Sequence, residues 1–322
     1  MKKSWVALIV ILGAISAIIA TFIVTGRAGK NETINLGVTG SMGPFGLIYS
    51  NGVERGIYDK YGLNITCNRV TDAYTGMLAL LTGKFDSIST SPGIFTTAYL
   101  DGENLSIGMA LSYASNLMLI VKPGYTDLKS LRGKRLGVIG TNSDSYRIIK
   151  SYLKTRGLDI EKDLELVEIK KPASLLSVFQ TDQIEAVVLM SGYAAEAINS
   201  GGIVVTTTKD AAEEVFGHPV YSTTVLLGEH FLARKRVVNK FLRAQREIAQ
   251  EIEKDPEGAI AIHAAYADQD LEKMRAVFDM INLTCDLDTG IKQDLIAYTE
   301  YGASQGYFDG ALGEEAFYDD WR

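Results

Sequence analysis

Cysteine and histidine are scarce in this chain. Two cysteines, Cys67 and Cys285, stand far apart, and three histidines at 218, 230 and 263 fall at no metal-ligand spacing. That argues against a histidine–cysteine metal centre. Basic charge is short as well. Against 39 Asp and Glu the 32 Lys and Arg leave a formal net charge of −7, and the cations form no stripe, so the electrostatic footprint of a nucleic-acid binder is missing. There is no G-x-S-x-G elbow, no P-loop and no nucleophile that can be paired with a histidine. The run Gly37–Gly43, GVTGSMG, resembles a dinucleotide loop. It lacks the acidic residue that such a loop needs about twenty positions on, where Val70 and Thr71 sit instead. No catalytic constellation and no cofactor are therefore expected.

What is present begins with one long apolar run. Trp5 to Val24 carries no charge and follows Lys2 and Lys3; as a helix, its twenty residues would span roughly 30 Å, a bilayer's hydrocarbon thickness. No A-x-A site occurs and no cysteine follows, which excludes a lipoprotein anchor, and the length of the run favours an uncleaved N-terminal anchor over a cleaved signal. Residues 1–30 are expected to be anchor and linker, with the rest exported. Sequons at Asn31, Asn64, Asn104 and Asn282 agree with an outside location. With 322 residues at 47% hydrophobic, the chain can build two α/β lobes.

From residue 33 onward strand and helix alternate. Strands are expected at 33–38, 63–70, 85–89, 106–112 and 117–121, with helices at 47–60 and 74–82 and another opening at Ser91-Pro92-Gly93. The stretch Leu128–Ile160 gives a helical turn, a buried strand at 135–139, the loop Gly140–Asp144 and a helix from Ser145 that Gly157 ends. Further strands are expected at 164–169, 186–190, 203–207 and 221–227, with a helix at 173–181, a turn at Ser191-Gly192-Tyr193 leading into a helix through Ala197, and a long amphipathic helix at 235–253. This is a mostly parallel α/β pattern, and in such sheets ligands collect at the strand carboxyl ends. At the 140–144 loop, Thr141, Ser143 and Asp144 serve equally as helix caps. The Asp144 carboxylate already occupies the positive end of the helix dipole, which argues against a strongly anionic ligand pressed on that terminus.

Three segments carry a family resemblance: Gly56–Leu63 (GIYDKYGL) before a strand, Met77–Asp86 (MLALLTGKFD), and Leu128–Val138 (LKSLRGKRLGV). In this order they resemble the solute-binding proteins of ABC importers, of the nitrate/sulfonate/taurine/thiamine-precursor type, over about residues 33–310. The resemblance implies a two-lobed periplasmic-binding-protein type II fold with a two-stranded hinge, lobe one at 31–119 and 222–322 and lobe two at 120–221. It implies a small organic or anionic solute held between loops of both lobes: Ser41, Met42, Phe45, Tyr74, Thr75, Ser91 and Tyr113 from one, Thr141, Asn142, Ser143 and Tyr193 from the other, and Thr223 and Thr224 near the hinge. Those hydroxyls, the amide and the rings suit a neutral or weakly charged molecule. Where the family usually has Pro-Tyr, this chain has Gly192-Tyr193. With both cysteines in one lobe of an exported protein, a Cys67–Cys285 disulfide is expected, and the C-terminal helices should pack on lobe one.

The partners expected are the solute, a membrane permease, and the bilayer through residues 5–24, with a monomeric receptor outside the cell. Two other readings stand beside this one. One is a tethered sensor reporting the ligand to a membrane partner. The other is an enzyme on the same fold, such as the pyrimidine-synthesising relatives, whose cysteine-rich, histidine-containing site this chain lacks.

Overall fold

Apolar strands alternating with amphipathic helices build two sheets in the computed structural model, which describes residues 31–322 apart from 40–42, 71, 114–116, 142, 219 and 280. The chain opens with β1 (Glu32–Thr39), α1 (Pro44–Glu54), α2 (Ile57–Lys60), β2 (Leu63–Val70), α3 (Ala73–Leu81), β3 (Ser87–Thr90), α4 (Pro92–Leu100) and β4 (Leu105–Tyr113). It crosses into β5 (Leu117–Val121), β6 (Arg135–Val138), α5 (Asp144–Thr155), β7 (Glu165–Glu168), α6 (Pro172–Gln180), β8 (Ala186–Met190), α7 (Ser191–Asn199), β9 (Ile203–Thr207) and α8 (Thr208–Phe216). It then returns through β10 (Tyr221–Gly228), α9 (Glu229–Leu232), α10 (Lys235–Lys254), α11 (Pro256–Ala267), α12 (Leu271–Phe278), β11 (Leu283–Asp286) and α13 (Thr289–Ser304).

One sheet has six strands in the order β11-β4-β10-β3-β1-β2 and the other has five in the order β7-β6-β8-β5-β9. Strands β1, β2 and β3 run parallel, β10 runs antiparallel to both β3 and β4, and β6, β7 and β8 are parallel. The carboxyl ends of β1 to β4 therefore lie on one edge together with the start of β10. In the second sheet the ends of β6, β7 and β8 share an edge with Leu117, which pairs with Met190.

Burial follows residue type. On α10 the residues Val237, Val238, Phe241, Leu242, Ile248 and Ile252 are buried. They recur at helical spacing and form one apolar stripe, each large side chain contributing about 1.5–3 kcal/mol. Expectation and structure part at several points. The single helix expected at 47–60 is broken by Gly56, at φ 65°, a conformation that favours glycine. The turn at 191–193 is the first turn of α7, and α8 was not expected.

The expected disulfide is absent: Cys67 and Cys285 are free. They lie on β2 and β11, the opposite edges of the six-stranded sheet with four strands between. Five strand spacings are roughly 24 Å, far beyond the Cα separation a disulfide allows. The C-terminal helices do not serve one lobe alone. Ile291 and Leu295 join the core of the six-stranded sheet, while Tyr298 and Phe308 join that of the five-stranded sheet. Trp321 is buried in the first core and donates its Nε1–H to the Gly108 carbonyl at 3.0 Å. The apolar run at 5–24 lies outside the described residues, among which no helix is long and apolar enough to cross a membrane. Asn31, Asn64 and Asn104 are exposed, and Asn282 is half-buried.

Candidate functional site

On the six-stranded sheet, the candidate edge is a row of hydroxyls and rings. Tyr113 ends β4, and its ring stacks on Tyr221 with centroids 5.0 Å apart. Ser222 donates to the Tyr113 carbonyl at 2.8 Å and meets the Ser112 hydroxyl at 3.2 Å. Thr223 is half-buried beside it. Thr224 is fully buried and donates to the Thr90 carbonyl at 3.0 Å, tying β10 to β3. Burial pushes the Tyr221 hydroxyl upward, with Tyr113 adding to the shift, so the phenol stays a neutral donor. Asp294 of α13 approaches this edge, 3.7 Å from the His218 ring. Burial raises its carboxyl, and the imidazole pulls it back.

On the facing edge, Thr141 is half-buried with its hydroxyl 3.4 Å from Glu168. Ser143 caps α5, accepting from the Tyr146 N–H at 3.2 Å and donating to the Gly140 carbonyl at 3.0 Å. Tyr193 packs in the first turn of α7 against the cluster around Leu175 and Phe179.

The other expected residues scatter. Phe45, 3% exposed, belongs to the hydrophobic core rather than to an open surface. Its helix starts at Pro44 and turns that ring inward against the sheet. Tyr74 is the opposite case, 79% exposed on the first turn of α3. Thr75 completes a helix cap, its N–H and hydroxyl both bonded to the Asp72 carboxylate at 2.8 and 3.0 Å. Ser91 is the N-cap residue of α4, and its hydroxyl makes no capping bond. Ser41, Met42 and Asn142 lie outside the described residues.

The best-built group on these edges centres on Asp144, expected at a helix start but not with its distant partners. Asp144, 4% exposed, opens α5, and its carboxylate reaches the other half of the molecule. It accepts from the Gly93 N–H at 2.8 Å, the Tyr298 hydroxyl at 2.8 Å and the Arg147 guanidinium at 2.9 Å. Arg147 lies 4.6 Å from the centroid of the Phe308 ring. Burial, and then the Asp144 charge, holds the Tyr298 hydroxyl well above its ordinary range, which keeps it a donor. A Cβ on Gly93 would sit 2.1 Å from Asp144 Oδ1, so only glycine fits there. A glycine directly after Ser-Pro at a helix start was the available signal of close approach. The two halves also touch where α12 packs against α7.

Among the described residues no cluster of His, Cys, Asp and Glu could hold a metal ion. What the two edges offer is hydrogen bonding and ring contact, the equipment of a binding cleft.

The model of the NMT1/THI5-like family matches residues 47–259. No curated protein sequence matches the chain. Among solved structures, it is similar to the alkanesulfonate-binding protein SsuA from Xanthomonas axonopodis pv. citri bound to MOPS, at 14% identity and a TM-score of 0.72, covering 90% of this chain and 99% of that one. It is also similar to the periplasmic aliphatic sulphonate-binding protein SsuA from Escherichia coli, at 16% identity and a TM-score of 0.70, covering 86% and 92%. The periplasmic nitrate-binding protein NrtA from Synechocystis PCC 6803 is similar at 15% identity and a TM-score of 0.65, covering 86% and 82%. These likenesses bear on the fold, which agrees with the two-lobed binding-protein architecture expected. Matched over most of its length, the chain belongs to the NMT1/THI5-like family.

Proposed function

We propose that this chain is an extracytoplasmic receptor that captures a small solute and delivers it to the membrane permease of an ABC importer. One observation carries the reading: two edges of strand carboxyl ends, lined by hydroxyls and rings, belong to two sheets between which the chain passes from β4 to β5 and back from α8 to β10, in a chain of this family. On this reading, residues 31–119 with 222–322 and residues 120–221 act as two lobes. They close about the strands on either side of Tyr113 and Tyr221, and a ligand touching both favours the closed form. The solute contacts Tyr113, Ser91 and Thr223 on one side and Thr141, Ser143 and Tyr193 on the other, with Tyr74 at the rim. The protein binds without chemistry, acts as a monomer, and stays with the membrane through residues 5–24.

The test is mass spectrometry of small molecules that co-purify with natively expressed protein, followed by titration of each back into stripped protein. At a hundredfold excess over its dissociation constant, the solute should stabilise the fold by about 2.7 kcal/mol, seen as a thermal shift. Steady conversion of that solute to product would overturn the receptor in favour of an enzyme. A native N-terminus beyond Ser16 would replace the anchor with a cleaved signal.

A further inference from the structure

We propose that Asp144 is a built-in anion, its carboxylate standing between the two halves where an oxyanion ligand could otherwise bridge them, so that the solute is uncharged or cationic at its buried end. This rests on the receptor reading above. The carboxylate is buried, and its donors come from three separate segments: Gly93 at the start of α4, Arg147 on its own helix and Tyr298 on α13. An oxyanion held at low dielectric needs such a set of charged and neutral donors.

Here that set is already spent. At the start of α4, Pro92 has no N–H and the Gly93 N–H is taken. The start of α5 carries the Ser143 cap and Asp144 itself. Arg147, only 13% exposed at its side chain, is neutralised by the same carboxylate. Two neighbouring helix starts are closed in the same way, with Asp72 accepting from the Thr75 N–H on α3 and Thr207 accepting from the Asp210 N–H on α8, whereas the starts of α1, α6 and α7 carry no side-chain cap. Glu168 adds a further acid to this edge, and the cations after it, Lys170 and Lys171, are exposed to water.

The geometry yields its own experiment, because removing the carboxylate leaves Gly93 N–H, Tyr298 O–H and Arg147 around a space of carboxylate shape. Nitrate and formate are planar oxyanions that fit it. The full-length chain, purified in a neutral detergent, is followed by intrinsic fluorescence during heating, with nitrate, formate or ethanesulfonate added. The wild type should show no saturable rise in Tm with any of the three. Asp144→Ala, or Asp144→Ser with a hydroxyl kept at the helix start, should melt lower and recover saturably with nitrate or formate. Its affinity should be at least tenfold above any wild-type response. Adding Tyr298→Phe should weaken that recovery by about tenfold, the scale of one hydrogen bond. Where a variant folds poorly, its refolding yield with and without nitrate gives the same reading.

Saturable binding of nitrate, formate or ethanesulfonate by the wild type overturns the proposal, as does an Asp144 variant indifferent to every anion. Absence of any co-purifying solute speaks against the receptor reading instead and leaves the anion measurements standing.

Discussion

The two sheets close their cores differently. The six-stranded sheet has one continuous core, in which α10 covers a broad face and the chain's end supplies Leu312, Phe317, Tyr318 and Trp321. The five-stranded sheet divides its apolar residues between two smaller clusters, and one of these is completed by Tyr298 and Phe308 from beyond its own segment. The C-terminal stretch thus packs against both halves, and a boundary drawn along the sequence misses that dependence. A half that borrows part of its core should be the less stable one and the first to open.

Substituting one plug in each core tests this difference most strongly. Trp321→Ala removes a side chain 1% exposed together with its bond to Gly108, and should cost about 4–5 kcal/mol. Hydrogen exchange read by mass spectrometry should show protection lost across β4 and α10 while β6 and α5 keep theirs. Phe308→Ala should cost about 3 kcal/mol with the reverse pattern, opening α5 and leaving α10 protected. Loss of protection in both halves by either variant would show that the cores unfold as one. Next in size is Gly93→Ala, which should cost about 2 kcal/mol because the new Cβ meets Asp144 and Arg147 at 2.1 and 2.4 Å. That effect should shrink when Asp144→Ala is already present, leaving the flexible Arg147 side chain to give way, a coupling that a double-mutant cycle measures.

Much of this was legible in the sequence. Leu117–Val121, Ala186–Met190 and Ile203–Thr207 fall where expected, because short runs rich in Val, Ile and Leu between turn residues have few alternatives. Helix α8, TKDAAEEVF, was missed because its acids mask a short apolar face, of which Ala211 and Ala212 are buried. The site was harder to read. Phe45 and Tyr74 each follow a strand, and nothing local tells that the first faces the core and the second faces water. The disulfide failed for a related reason, since sharing a sheet says nothing about which strands are neighbours, and strand order is set by packing. Asp144 was correctly read as lying at a helix start, yet its partners Gly93 and Tyr298 lie 51 and 154 residues away. No periodicity reports pairings at such range.

Smaller effects sharpen the comparison without breaking either core. Ser143→Ala removes the hydroxyl that caps α5 and should cost about 1 kcal/mol. Thermal melts should show that loss whether or not solute is present, whereas a direct ligand contact adds a loss seen only in binding.

The smallest expected effect is a pH signature for the five-stranded sheet at the end away from the cleft. Glu185 precedes β8, and it accepts from the Arg135 backbone N–H at 2.9 Å and pairs with its guanidinium at 3.0 Å. Burial raises its carboxyl, but the bonds and charge of Arg135 outweigh that and hold it below the ordinary value of 4.5. A carboxyl lowered in the folded state binds its proton more weakly there than in the unfolded chain. Its contribution is therefore fully present above the ordinary value and is lost as pH falls through the lowered one. Solvent screens the half-exposed arginine, so the effect should be modest. Glu185→Gln should lower stability slightly at neutral pH and flatten the decline below about pH 4.5, measured by urea unfolding across an acid series. The loss should appear in the exchange of β6 and β8 and leave solute affinity unchanged, because this pair sits at the opposite end of the strands from Thr141 and Tyr193. An equal acid slope in wild type and variant would mean that Glu185 has the same proton affinity folded and unfolded, and the pH response of this half must then come from other carboxylates.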